Sequence, residues 1–416
     1  MRLGFSAVVM AISYFLSAPA SQARSIDVHA VATGSRPAIA ADGSGHLYAA
    51  FQAYVDAKQV PDIYCAVSTN GGATWTAPKD ISNTPGVSGH PDIAVEKNGA
   101  IDVVWNDNSV DVKSPDIFFA RSTDQGKTWT TPLDISNTSG VSAEPALALG
   151  ADDSIHVVWT DTSTGEKDRD IYYACSRDSG KKFAKDPLLP AIDISNTPGS
   201  SSEPTIAVAA SGVIHVAWTD TTPDESHPDI YYVRGEKDSW TKSINVSNSK
   251  LISSHPALAC DKENVFLAWS DNSLKEDAAE IWLAIASKSD KFAEPVNLSE
   301  TKGASIEPAA AASNGRLAVV WSDTTGGVKT LSIYARGASV DSGGDFSEVI
   351  PVSNPAHIDK HPHVTIAGGK MVVIWEEVAG GGEESTIKVS STVMKGLATL
   401  PATPVDPRVH GKGNQH

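Results

Sequence analysis

Residues 90–142 read HPDIAVEKNGAIDVVWNDNSVDVKSPDIFFARSTDQGKTWTTPLDISNTSGVS. Short apolar runs alternate with turn residues in this stretch, and no part of it shows a helical period. Four strands follow from that pattern: Asp92–Val95, Ile101–Trp105, Asp116–Arg121 and Thr128–Ser136. Asn98-Gly99 supplies a tight turn between the first two. The second strand is apolar without alternation, which suits a strand covered on both faces.

The unit recurs along the chain. Its opening dipeptide returns as Arg36-Pro37, His90-Pro91, Glu144-Pro145, Glu203-Pro204, His255-Pro256, Glu307-Pro308 and His361-Pro362. A period of about 54 residues belongs to propeller blades. Trp-x-acid follows at Trp105/Asp107, Trp159/Asp161, Trp218/Asp220, Trp269/Asp271, Trp321/Asp323 and Trp375/Glu377, while the first unit has Phe51 and Ala53 there. The expected fold is therefore all-β, a seven-bladed propeller with four antiparallel strands per blade. A proline cannot donate to a ladder, so each Pro is expected to open an innermost strand facing the channel. The last unit lacks a clear fourth strand. The segment Ser25–Val31 precedes Arg36 as Asp134-Ile135-Ser136 precedes Glu144, so it is expected to complete that blade and close the ring.

The chain's other features bound its class. A net charge of −17 over 416 residues argues against nucleic acid as a partner. Residues 1–23 read as a secretory signal peptide, with Arg2, an apolar run from Gly4 to Ala18, and small-x-small sites at Ala18-Pro19-Ala20 and Ser21-Gln22-Ala23. No later run is a candidate membrane span. Residues 24–397 then form the propeller and 398–416, rich in Pro, Gly and His, a disordered tail; the mature chain is expected outside the cytoplasm, secreted or periplasmic. The three cysteines, Cys65, Cys175 and Cys260, show no zinc spacing and read as small core residues.

The third hairpin carries a motif. Ser122-x-Asp124-x-Gly126-x-Thr128-Trp129 has a close copy at Ser68-x-Asn70-x-Gly72-x-Thr74-Trp75 and looser ones at Ser176-x-Asp178-x-Gly180 and Ser339-x-Asp341-x-Gly343. These resemble the Asp boxes (BNR repeats) of bacterial sialidase-like propellers, and the resemblance spans nearly the whole mature chain. The motif's physics is structural: the acid accepts N–H bonds from its own turn and the glycine supplies positive φ. In the family that it resembles, the boxes lie away from the catalytic face.

Antiparallel order then puts the seven residues before proline on the other face. Arg36, His90, Glu144, Glu203, His255, Glu307 and His361 form an expected ligand-binding rim at the channel mouth. Farther out lie Asp107, Asp161, Asp220, Asp271 and Asp323, with Asp62, Asp116, Asp170, Asp229 and Glu280 beyond. Their repetition favours turn chemistry over Ca²⁺ ligation. Mixed His and carboxylate groups at Glu203, His255, Glu307 and His361 make a candidate site for another divalent metal.

The resemblance implies an arginine triad, a Tyr–Glu nucleophile pair and an Asp acid/base. Arg36 stands where the first arginine belongs, although in Ser35-Arg36-Pro37 rather than Arg-Ile-Pro, and Tyr54 with Glu203 or Asp56 are the other candidate catalytic parts. Arg121, Arg234 and Arg336 end third strands and point to the opposite face, so a triad is not evident. The family also has six blades, not seven. The reading is a binding or scaffold module for a glycan or an extracellular protein. The alternatives are a sialidase-like glycoside hydrolase and a metal-dependent enzyme using the His/Glu ring.

Overall fold

The computed structural model describes residues 27–393 except 55–59, 164, 166–168, 184–190, 223, 237–238, 263, 276–277, 288–290, 328–329, 340–345 and 379–384. The signal-peptide and tail segments, Asp56 and Asp341 lie outside the described residues. Among those residues the chain forms seven antiparallel sheets and no helix; within each sheet, strands consecutive in the chain lie side by side, except where the first strand joins the last blade. Blade 2 is Ser88–Val95, Ile101–Asp107, Asp116–Ser122 and Leu133–Asp134. The others repeat it, and blade 4 splits its outer edge into Ser239–Trp240 and Ile244–Asn245. The outer strands are shorter than the sequence suggests. After the hairpin the ladder to the third strand has only two residue pairs, Phe118–Asp134 and Phe119–Leu133, flanked by single bonds from the Thr130 N–H to the Arg121 carbonyl and from the Ile135 N–H to the Ile117 carbonyl.

The ring closes as its periodicity requires. Val28–Thr33 pairs antiparallel with Ser385–Val393 of blade 7, so one blade takes strands from both ends of the described chain. The tryptophans of the second strands (Trp105, Trp159, Trp218, Trp269, Trp321, Trp375) are fully buried. Phe51 fills the same place in blade 1 and packs in the cluster that joins it to Ile374 and Val389 of blade 7. Each apolar cluster of this kind spans two neighbouring blades, which explains why the second strands are apolar on both faces.

The innermost strands differ from expectation in an informative way. They begin before the proline: that of blade 2 starts at Ser88, and Pro91 lies inside it. The register slips there, between Gly89 and Asp92, and slips at the equivalent place in the other six blades. A β-bulge accommodates the missing proline N–H within a strand. The residue before proline takes positive φ in all seven blades, from 47° at Arg36 to 55° at Glu203. Non-glycine residues rarely adopt this region, and a following proline also restricts them.

The third hairpins are held by their own side chains. Asp124 accepts the Thr128 N–H at 2.8 Å and its hydroxyl at 2.6 Å; Ser122 Oγ accepts the Gly126 N–H at 2.9 Å. The Trp129 indole donates to the Gly126 carbonyl at 3.2 Å. These bonds, those from Thr128 first, pull Asp124 down to about 2. The same pattern holds at Ser68/Asn70/Thr74 and at Ser176/Asp178. Gly180, at φ +78°, could not carry a Cβ without meeting the Phe119 ring at 2.3 Å. Asp124 and Asp178 thus serve turns, on the face opposite the prolines.

Candidate functional site

Arg36, His90, Glu144, Glu203, His255, Glu307 and His361 line one cavity of about 630 Å³ at the mouth of the channel. The seven bulges bring them together, because a bulge turns its residue out of the strand's alternation. Their chemistry divides the ring into two arcs.

In the first arc the glutamates lock neighbouring blades. Glu144 accepts the backbone N–H of Glu203 at 3.0 Å, Glu203 that of His255 at 2.8 Å, and Glu307 that of His361 at 3.1 Å. Residues between Trp and the acid add to this: Thr160 donates to Glu144 and Thr219 to Glu203. The second glutamate oxygen faces a histidine, with Glu203 3.1 Å from His255 Nε2 and Glu307 3.7 Å from His361 Nε2. The proposed metal set is therefore arranged as two Glu–His pairs, each already using one carboxylate oxygen on a blade-to-blade bond.

The second arc runs through blades 7, 1 and 2. The Arg36 backbone N–H donates to Glu376 at 3.2 Å. Its guanidinium is exposed and, among the described residues, forms no ion pair. Burial, and then the Arg36 charge, lower the His90 pKa, and His90 Nδ1 lies 3.1 Å from Asn106 Oδ1. Glu376 also meets His361 Nδ1 at 3.1 Å, Lys360 Nζ at 3.2 Å and the Ser385 hydroxyl at 2.8 Å. Burial opposes its charge, but these partners together bring its pKa down to about 2. Deeper in the channel, Asp92 and His363 approach to 3.9 Å. Enclosure pushes Asp92 up and His363 down, which favours a neutral pair.

Of the candidate catalytic residues, Arg36 and Glu203 share the cavity. Tyr54 is 65 % exposed and is not on the cavity wall. Arg121 is buried on the opposite face, with one fork tooth 2.6 Å from Glu96 and contact to Asp102 at 2.9 Å. The outer acids are saturated. Asp107 accepts from Ser88, Thr84, Trp105 and the Ser109 N–H, and Asp161, Asp220 and Asp323 repeat this. Those side chains do turn chemistry.

Two features were not foreseen. Glu376, the residue between Trp375 and Glu377, was hidden because its counterparts are Gln52, Asn106, Thr160, Thr219, Ser270 and Ser322. A second cavity of about 380 Å³ on the box face holds Ser154, His156 and Tyr173, linked at 2.7 and 2.8 Å. Burial drops His156 to about 4, and Ser154 donates to Asp152, so the serine is not activated as a nucleophile. The His–Tyr pair recurs as His215–Tyr232 at 2.6 Å, as a structural device would.

No protein-family model and no curated protein matches the chain. Solved structures do. The Hadza microbial sialidase Hz136 is 15% identical with a TM-score of 0.51 over 71% of this chain, which spans 64% of that sialidase. A polysaccharide lyase, PL25 ulvan lyase bound to -[GlcA(1-4)Rha3S]-, is 13% identical with a TM-score of 0.51, covering 70% of this chain and 76% of the lyase. Trypanosoma rangeli sialidase in complex with the inhibitor DANA is 11% identical with a TM-score of 0.50 over 86% of this chain and 55% of its own. At these identities the likeness establishes the fold: a sialidase-like β-propeller.

Proposed function

We propose that the protein is a glycan-binding propeller that holds an anionic sugar at the channel mouth, outside the cytoplasm, without hydrolysing it. The observation that carries this reading is the exposed Arg36 guanidinium, without an ion pair among the described residues and set between His90 and His361 at the edge of a polar cavity. An arginine fork suits a carboxylate or sulfate, which it can bind through two parallel hydrogen bonds. The fold shared with a sialidase and with a lyase bound to -[GlcA(1-4)Rha3S]- makes acidic glycans the first ligands to test. Glu203 is committed to His255 and Thr219 and Tyr54 stands off the cavity wall, so hydrolysis has weaker support than binding. An extracellular protein bearing acidic groups is the other ligand class for the same rim.

Calorimetric titration with uronate- and sialate-containing oligosaccharides, and with neutral counterparts, tests the proposal. Binding of an acidic member, weakened about 10-fold or more in Arg36→Ala, is expected, since a charge-assisted bond contributes about 1.5–3 kcal/mol. Binding that ignores Arg36→Ala would overturn the assignment. Turnover of a fluorogenic sialoside, lost in the same variant, would replace binding by hydrolysis.

A further inference from the structure

Blade 7 breaks the repeat at four positions, and the four converge. In blade 2 one carboxylate, Asp107, sits in a cradle of hydroxyls from Thr84 and Ser88, with Gly86 between them. Blades 3, 4 and 6 keep the same four residue types. Blade 7 has Pro355 for the threonine, His357 for the glycine, Asp359 for the serine and Glu377 for the aspartate. The hydroxyl cradle is gone, and an imidazole and a second carboxylate replace it.

The register makes the exchange a juxtaposition. Asp359 stands opposite Glu377 as Ser88 stands opposite Asp107. One ligating atom from each of His357, Asp359 and Glu377 lies within 4.8 Å of the other two. His357 Nδ1 is 2.8 Å from one Glu377 oxygen, and Lys388 Nζ is 3.2 Å from the other. Asp359 is fully buried, and although the Ser353 hydroxyl and the Trp375 indole stand near enough to act on its charge, neither closes a well-formed hydrogen bond to its oxygens. The Trp375 indole N–H, whose counterparts bond the single carboxylate in blades 2 to 6, faces Asp359 here without completing such a bond. A buried carboxylate without well-formed hydrogen bonds is costly, and a buried polar atom left in that state calls for an explanation.

We propose that His357, Asp359 and Glu377 form a binding site for a divalent cation of the zinc class, between blades 6 and 7. One imidazole nitrogen and two carboxylate oxygens are a zinc-type donor set, leaving room for water in the coordination shell. The cation would satisfy Asp359 and neutralise the paired acids. Lys388 would stay on the far Glu377 oxygen as an outer-shell partner. This site is separate from the channel rim and does not depend on glycan binding.

The test uses the full chain, stripped with EDTA, dialysed, and titrated with zinc chloride by calorimetry at neutral pH. One zinc per chain is expected, together with a melting temperature that rises with zinc concentration. Asp359→Ser and His357→Gly restore the residues of blade 2. Both are expected to keep the circular dichroism spectrum and to weaken zinc binding about 100-fold or more, a loss of about 2.7 kcal/mol. If one variant fails to fold, the other still decides the matter. Three results would overturn the site: no zinc bound by the folded wild type up to about 1 mM, zinc retained unchanged in a folded variant, or binding of calcium or magnesium in preference to zinc.

Discussion

Glu376→Gln should loosen the ring at the blade that joins the two ends of the chain. Glu376 is 2 % exposed and touches both sides of the seam: the Arg36 N–H of blade 1, and Lys360, His361 and Ser385 of blade 7. Its pKa falls from 4.5 to about 2 because these partners outweigh the burial that opposes charge. At 1.36 kcal/mol per pH unit that shift converts to roughly 3 kcal/mol. Its partners Lys360 and His361 are partly exposed, so solvent screens part of it, leaving about 2 kcal/mol. The sign follows from linkage. A carboxylate depressed in the folded state contributes fully above its unfolded value, and the contribution is lost as pH falls toward its folded value. Glutamine has the same shape and does not titrate. Urea unfolding of both proteins should therefore show a gap of about 2 kcal/mol at pH 7 that closes between pH 4.5 and about 2. A gap that stays constant across this range would refute the electrostatic account, and a gap that widens in acid would reverse it.

Arg121→Met should destabilise the protein by about 3–5 kcal/mol at pH 7.5, because it leaves Glu96 and Asp102 buried together without a cation. Burial, reinforced by Glu96, already pushes Asp102 up to about 7 despite Arg121. An acid raised in the folded state loses stability as pH rises, so the deficit should shrink at pH 5; thermal melts at the two pH values check this. At the rim, His90→Gly and Glu203→Gly should diverge. Glycine relieves the positive φ at both positions, a strain of about 1 kcal/mol. His90→Gly should be within about 0.5 kcal/mol of wild type, since relief and the lost Asn106 contact offset one another. Glu203→Gly also forfeits the bonds from His255 N–H and Thr219 and should cost about 2 kcal/mol, read by chemical denaturation.

Much of the architecture was legible because a propeller repeats. Once Trp105-x-Asp107 has five counterparts, each blade supports the reading of the others, and the missing fourth strand of blade 7 points to the N-terminal segment that fills it. The bulge was not legible. Proline alone suggests a strand start, and only the cross-strand register shows that Gly89 and Asp92 flank a slip. That slip and its positive φ aim His90 at the channel. The rim's membership could be read from the prolines, but its internal wiring could not. Nothing in Glu144-Pro145 and Glu203-Pro204 announces that one glutamate accepts the other's N–H, 59 residues along the chain.

Repetition also explains where chemistry can reside. A residue present in most blades is explained by the blade: Asp107 and its counterparts are saturated by hydroxyls and indoles, and Asp124 by its own hairpin. Departures have no such explanation, and they cluster at one seam. Blade 1 supplies Arg36, the only arginine of the rim, and blade 7 supplies Glu376, His357, Asp359 and Glu377. Closing the ring there requires strands from both ends of the described chain, so this seam has the least local sequence to hold it. Charged groups crossing it, Glu376 to Arg36 N–H above all, add directed bonds where chain continuity adds none. The same groups leave the Arg36 guanidinium facing the cavity, because its backbone rather than its side chain takes the Glu376 bond. The seam's wiring thus accounts both for a closed ring and for a cation at its mouth that, among the described residues, has no ion pair.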